Sequence, residues 1–334
     1  MNTKDLFKKY GFVMIVGLAL LIFIGIYAID SISKVEKKVD TKQVDGQYVL
    51  YSVDDANYMA DELYDTLYKG VGPATSLGAL RRSVIDQAVK STSDMEDQAA
   101  NYAAYMIQYY GEDQILSYLK QQGYESIDDL QKMYIDSLKE TQFISDYYTA
   151  HYDEYVKDVV EEQNARKIYH ILVKVADVEE TTDEEGNTIH VAHPTEEESS
   201  KLASVLEALK TSDFQSVAKE YSEDGSASNG GLLGVVGSYN SSNYVPEFAA
   251  ESMSIKAGET SEVITTTYGY HILYCEEASA EELLADSSFL SQVDTAHPEA
   301  YYKAIQEKVE ELGFTVNDQD LIDALKSGAE SEGE

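Results

Sequence analysis

The sequence has no tryptophan, a single cysteine, four prolines and a deep shortage of cations. With Cys275 alone, no internal disulfide can form and a cysteine-built zinc site is excluded. Redox compartment is left open by the same fact. The shortage of cations has the wider consequence: 25 Lys and Arg stand against 61 Asp and Glu, a formal charge of −36. A field of that sign repels phosphate backbones and anionic lipid headgroups, so nucleic acid is excluded as a partner. Long apolar runs are also lacking, with one exception. Lys4, Lys8 and Lys9 precede an uncharged stretch from Tyr10 to Ile29, and about 20 apolar residues suffice to cross a bilayer as one helix.

That stretch is long for a signal-peptide core, and no A-x-A cleavage site or lipid-accepting cysteine follows it. The sequence therefore predicts a basic head and uncleaved transmembrane helix over residues 1–30. Lys34, Lys37, Lys38 and Lys42 balance the cations of the head, so the positive-inside rule alone does not set the orientation. The short basic head favours an inside N-terminus. The acidic bulk of the chain then lies outside the cytoplasm, in a single-pass protein.

What is abundant is helical period. Residues 31–45 read as a charged stalk, and 46–164 as a helical, chaperone-like domain. Apolar spacing predicts helices over Val53 to Tyr68, broken at Gly70, Gly72 and Pro73, then over Leu77 to Val89. Further helices are predicted over Asp94 to Tyr110 and Asp113 to Gln122, from Ser126 (with Asp129 as a weak capping box) to Ala150, and over Tyr152 to Glu162. Tyr102, Tyr105, Met106 and Tyr109 form a stripe that serves either core packing or an adaptable surface for unfolded chains. The long helices of 94–150 offer a possible homodimer surface.

At Lys167 the texture changes. Residues 167–174 alternate as a strand. An acidic, Thr-rich loop is predicted over Glu179 to Thr188. Thr195 with Glu198 forms a capping box for a helix to Leu209, and Asp213 caps a second over Phe214 to Tyr221. A Gly/Ser-rich stretch follows from Gly225 to Gly237, then a helix at Pro246 to Met253 and a strand at Tyr270 to Cys275. The order predicts an α+β domain over 165–277, with a small antiparallel or mixed sheet, inserted between helical segments. Residues 278–326 return to helix, including Pro298 to Leu312 and Leu321 to Leu325, and are expected to pack on the helical domain. An acidic tail, 327–334, reads as disordered.

Four local signals sit in the α+β segment: KIYHILVK with His170, EYSEDGSASNGGLLG with Asp224, YVPEF with Tyr244 and Phe248, and TTYGYHIL with His271. In this order the chain resembles the parvulin family of peptidyl-prolyl cis/trans isomerases. With its flanking helices and N-terminal anchor it is similar to the PrsA-type foldases of Gram-positive bacteria. The resemblance implies paired histidines, His170 and His271, facing each other on central strands, with Asp224 beside them and Thr266 bonding one ring. It implies a proline pocket walled by Leu233, Tyr244, Phe248 and Met253. No cofactor or metal is implied, and the partners are unfolded or partly folded secreted polypeptides containing X–Pro bonds.

Three departures stand out. Leu232 replaces a usual carboxylate, Val236 replaces an aromatic, and Tyr244 stands where Met is usual. The acidic run after the first strand replaces the basic loop of phospho-directed relatives, so no phosphate requirement is expected. Taken alone, a strand histidine reads as a core residue and Asp224 as a turn residue before glycine. His190 and His193 form an isolated H-x-x-H, read as loop residues over a metal pair. An isomerase is thus expected; a holdase chaperone with a weak parvulin segment is the alternative, and a purely structural envelope protein a third class.

Overall fold

The computed structural model describes residues 43–44, 47–53, 56–121, 124–186 and 188–330. The predicted N-terminal anchor and the end of the acidic tail lie outside them. Among the described residues no helix is long and apolar enough to cross a membrane. The chain divides into two compact units: one takes the described residues up to Ile144 and those from Glu299 onward, the other runs Ser145–Pro298.

The first unit opens with strands β1 (Gln43–Val44), β2 (Gln47–Val53) and β3 (Ala56–Met59), paired antiparallel in that order. A helix was expected from Val53. The Tyr-Val-Leu-Tyr run before it is rich in strand-favouring residues, and extended structure takes the segment up to Met59. Helix α1 (Ala60–Ala88) then runs unbroken through Gly70, Gly72 and Pro73, where the sequence predicted a break. Pro73 leaves the carbonyl of Lys69 without its donor, but Lys69 is exposed and water can serve it. Gly72 lies one turn beyond Tyr68, and a Cβ there would run into the Tyr68 ring.

Helix α2 (Ser93–Tyr110) is capped by Thr92, whose side chain accepts from the Met95 N–H at 3.2 Å, and it ends at Gly111. Its buried residues Met95, Ala99, Ala103 and Met106 follow one face. Helix α3 (Glu112–Gln121) and helix α4 (Asp128–Ala150) follow. Ala103, Met106, Ile115, Leu119, Leu130 and Met133 form their shared core. Of the predicted tyrosine stripe, Tyr102 and Tyr105 pack on this core while Tyr109 is exposed.

The second unit begins within α4 and continues through two short helices, α5 (Tyr152–Tyr155) and α6 (Lys157–Gln163). Strand β4 (Arg166–Lys174) follows, buried on both faces over most of its length. Next come β5 (Val178–Thr182) and β6 (Thr188–Ala192), an antiparallel hairpin where a loop was predicted. Thr181, Thr182, Thr188, Ile189 and Val191 favour extended backbone, and the acidic composition masked that signal.

Helices α7 (Glu196–Ala208) and α8 (Phe214–Tyr221) carry the predicted capping box and Asp213 cap. Then come β7 (Leu232–Val236), α9 (Pro246–Ser254), β8 (Ile264–Thr266) and β9 (Gly269–Glu276). Helices α10 (Ala280–Ala285) and α11 (Ser287–Ala296) close this unit, so 278–298 falls with the sheet by contact. The sheet order is β7-β4-β9-β8, antiparallel throughout.

The period of two sorts the sheet into two cores. Tyr169, Ile171, Val173 and Ile272 face α7 and α8 with Val205, Phe214 and Val217. Ile168, Leu273 and Cys275 face α9 with Val236, Phe248 and Ile255.

Helices α12 (Ala300–Glu311) and α13 (Gln319–Glu330) return to the first unit. Tyr301 there meets Arg81 and Glu140, and Arg81 Nη2 lies 2.9 Å from Glu140 Oε1. The Tyr68 hydroxyl donates to Asp318. The predicted disordered tail is corrected over 327–330, which continue α13.

Candidate active site

His170 sits at the middle of β4 and His271 near the start of β9. In the antiparallel register His170 opposes Leu273 and Leu172 opposes His271, so the two histidines are diagonal neighbours on one face. That face is the one covered by α9. Their rings stack with centroids 5.7 Å apart and planes 21° from parallel. Phe248 of α9 presents its ring edge-on to both, at 5.5 Å from His170 and 5.4 Å from His271. All three are buried. Pro246 at the first turn of α9 sets the helix start two residues before Phe248, where a missing N–H costs nothing.

Tyr244 stacks on Phe248 at 5.1 Å and 22°, and Leu233 joins the same cluster; both are half-buried. Ser252, four residues after Phe248, takes the fully buried position on α9. Met253 is half-buried and lies outside this cluster. Its carbonyl accepts from Asn164 Nδ2 at 2.8 Å.

Asp224 reaches the site from the loop after α8. The Glu223 N–H donates to the Leu172 carbonyl at 2.9 Å, the Leu172 N–H to Ser222 Oγ at 3.1 Å, and the Lys174 N–H to Glu223 Oε2 at 2.8 Å. These bonds clamp the loop to β4. Asp224 Oδ1 then lies 3.0 Å from His170 Nε2. The approach is off the axis of a ring N–H, and neither ring nitrogen of His170 has a directed hydrogen bond. Burial works against the charged form of Asp224. The hydrogen bonds from Ser226 and the nearby His170 outweigh it and hold the carboxyl well below the usual range.

Thr266, fully buried at the end of β8, places Oγ1 2.8 Å from His271 Nε2. Its oxygen already accepts from the Tyr268 N–H at 3.1 Å. The hydroxyl carries one proton and a second lone pair, so it can bond Nε2 in either tautomer of His271. Nδ1 is buried without a hydrogen-bond partner among the described residues. Burial, and then the neighbouring His170, lower the His271 pKa to about 4, against a raising influence from Asp224 and Glu247. His271 is neutral at pH 7.

One contact was missed in the sequence. His190 of β6 brings Nδ1 to 2.5 Å from Glu247 Oε1, tying the acidic hairpin to the residue beside Phe248. His193 faces Glu179 instead, at 3.6 Å, so the H-x-x-H pair is divided between two carboxylates. No local pattern could have joined residues 57 apart in sequence. A separate cavity of about 510 Å³ lies at the other end of the central strands, lined by Lys157, Arg166, Lys256, Cys275 and Glu276 among others. None of the predicted site residues lines it.

Residues 170–277 match the family model described as Rotamase, the PPIC-type PPIASE domain. This segment is a parvulin domain. The Foldase protein PrsA of Clostridium botulinum strain Langeland is 40% identical over 126 residues, 36% of this chain and 35% of that protein. The chain thus spans about a third of the length of that relative. The Foldase protein PrsA of Geobacillus kaustophilus is 26% identical over 293 residues, 84% of this chain and 91% of that protein. The crystal structure of PrsA from Bacillus subtilis aligns over 83% of this chain and 98% of that one, at 23% identity and a TM-score of 0.38. Within the parvulin domain, His170 and His271 bracket the sequence from its first matched residue to its last strand.

Proposed function

We propose that this protein is a peptidyl-prolyl cis/trans isomerase and foldase, acting on unfolded secreted polypeptides outside a bacterial cytoplasmic membrane, to which its N-terminal segment tethers it. One observation carries the reading: two buried histidines, one carboxylate and a phenylalanine converge on a single face of the sheet of a parvulin domain.

The chemistry needs no bond to break. Rotation about an X–Pro amide is opposed by resonance, with a barrier of about 18–20 kcal/mol, and takes tens to hundreds of seconds uncatalysed. Millisecond turnover requires about 5–7 kcal/mol of differential stabilisation of the twisted state. Phe248, Leu233 and Tyr244 supply an apolar wall for the pyrrolidine ring. Planar amide is the more dipolar form, so a dry wall disfavours it relative to the twisted one. The Asp224 carboxylate, held ionised, sets negative potential beside the rotating carbonyl and opposes the charge-separated resonance form. His170 holds Asp224 in place. Neutral His271, fixed by Thr266, forms the floor without adding a charge that would cancel that potential.

Isomerisation of a short X–Pro peptide by the full chain, followed by NMR exchange, tests the proposal. The expected result is turnover above background, reduced at least about tenfold in kcat/KM, or about 1.4 kcal/mol, by His170→Ala and by Asp224→Ala. Wild-type exchange at the background rate would sink it. Tyr109 and Tyr110, 47% and 38% exposed and in edge contact at 4.7 Å, favour an additional holdase role. Suppression of client aggregation that survives His170→Ala would assign that role to the helical unit.

A further inference from the structure

Strand β4 loses one neighbour halfway along. Its pairing with β7 runs from Arg166 to Tyr169, and the His170 N–H still reaches the Gly231 carbonyl at 2.8 Å. Alternate residues of a strand turn their backbone N–H and C=O to the same edge. Leu172 and Lys174 therefore face the side that β7 has left, while β9 keeps the opposite edge paired through Lys174. An edge of this kind is a row of open donors and acceptors. Leu172 is buried, so leaving its polar groups unmade would be costly.

Two side chains stand where the next strand would be. Ser222 Oγ accepts from the Leu172 N–H at 3.1 Å, and Glu223 Oε2 accepts from the Lys174 N–H at 2.8 Å. Between them the Glu223 N–H donates to the Leu172 carbonyl at 2.9 Å. Helix α8 delivers the segment, since the Ser222 N–H donates to the Ala218 carbonyl at 3.0 Å and closes its last turn. The next residue is Asp224. Its N–H lies 3.4 Å from Ser222 Oγ, and its Oδ1 accepts from the Ser226 N–H at 2.8 Å.

Asp224 depends on such support more than His170 does. The His170 side chain is 7% exposed and belongs to a central strand, whereas that of Asp224 is 33% exposed and stands on a loop. Its potential at a rotating carbonyl depends on where it stands, and a misplacement of about 1 Å can cost roughly 100-fold in rate. Glu223 has a second contact, with Lys201 Nζ 3.0 Å from its Oε1. That pair is solvated on both sides, and solvated ion pairs contribute little. A carboxylate bonded to a backbone N–H is held more strongly. The grip on β4 therefore resides in the Lys174 bond and not in the ion pair.

We propose that Ser222 and Glu223 are positioning residues for the isomerisation: their side chains replace a strand along β4 and so hold Asp224 against His170. This rests on the isomerase reading and adds to it two residues that act only through Asp224.

The test uses the full chain and a short X–Pro peptide, with peptide exchange, amide hydrogen exchange and the His170 ring signal all read by NMR at neutral pH. In the wild type, the Leu172 and Lys174 amides are expected to exchange at least about tenfold more slowly than unstructured amides; unprotected amides would overturn the proposal before any variant is made. Glu223→Ala lowers kcat about fivefold with KM changed less than about twofold, and it moves the His170 ring signal toward its position in Asp224→Ala. Ser222→Ala shifts both readouts the same way. Glu223→Gln keeps an oxygen for the Lys174 N–H and restores kcat to within about twofold of wild type. In an Asp224→Ala background, Glu223→Ala has no further effect on kcat.

Val205→Ala is the control for general loosening, because Val205 lies in the core on the other face of the sheet. It lowers the urea midpoint while kcat and the His170 signal stay in place. Loss of kcat in Val205→Ala equal to that in Glu223→Ala would assign the effect to stability and overturn the inference. An unmoved His170 signal in Glu223→Ala would overturn it too, with the isomerase left intact. Absence of wild-type turnover would instead remove the isomerase reading, and this role with it.

Discussion

At the scale of single residues, His271 and Thr266 make the sheet sensitive to acid. An unfolded histidine titrates near 6.5, whereas buried His271 titrates at about 4. Between those values the unfolded chain holds a proton that the folded chain does not, so stability falls as pH falls through that window. Asp224, with its carboxyl depressed, contributes stability that is present above about pH 3.9 and is lost as pH falls toward its lower folded value. Both groups act in the same direction. The unfolding free energy from urea titrations is expected to drop steadily from pH 7 to pH 4.5, by about 2–3 kcal/mol from His271. An NMR titration of its ring should show a midpoint near 4; a midpoint near 6.5 would contradict the burial argument. Thr266→Val keeps the shape but strips the hydroxyl that bonds His271 Nε2. The expected cost is about 1–3 kcal/mol, read by urea unfolding, with isomerase activity falling alongside.

At the scale of elements, the approach of β7 to β4 depends on one glycine. Gly231 has φ of 81°, and a Cβ there would collide with the carbonyl oxygen of His170. Its own carbonyl accepts from the His170 N–H at 2.8 Å. Gly231→Ala should therefore push β7 away from His170 and cost at least about 1–2 kcal/mol from the backbone alone. Thermal unfolding measures this, and a neutral Gly231→Ala would show that the strand pair can yield. The Gly-Gly pair is visible in the sequence, as are both histidines, the caps at Thr195 and Asp213, and the helix at Pro246. These features are local: a cap needs four residues and a strand needs alternation. The hairpin at 178–192 looks like a loop in sequence because carboxylates dominate it, while its β-branched residues decide the backbone. The break expected at Pro73 follows from intrinsic propensity, which tertiary packing overrides. The resemblance puts Met253 in the pocket wall, yet the turn of α9 gives the inward position to Ser252. The His190–Glu247 contact has no sequence signal at all.

At the scale of the whole molecule, the net charge of −36 governs the long-range electrostatics. So many like charges repel one another in the folded state more than in the expanded one, and added salt screens that repulsion. Raising sodium chloride from 20 to 300 mM should increase Tm by roughly 2–4 °C, the shift that about 1 kcal/mol produces in a domain of this size. Far-ultraviolet circular dichroism checks this, and a fall in Tm would mean that ion pairs such as Arg81–Glu140 and Lys139–Asp86 outweigh the repulsion. Cys275 lies on β9, four residues from His271, with no exposed surface. It is the sole sulfhydryl in the chain. Cys275 lines the cavity at that end of the strands but presents no surface, so a bulky alkylating reagent reaches it only when the packing around it loosens. The pace of alkylation therefore acts as a built-in stopwatch for how often this end of the four-stranded sheet opens, legible without any label having been engineered.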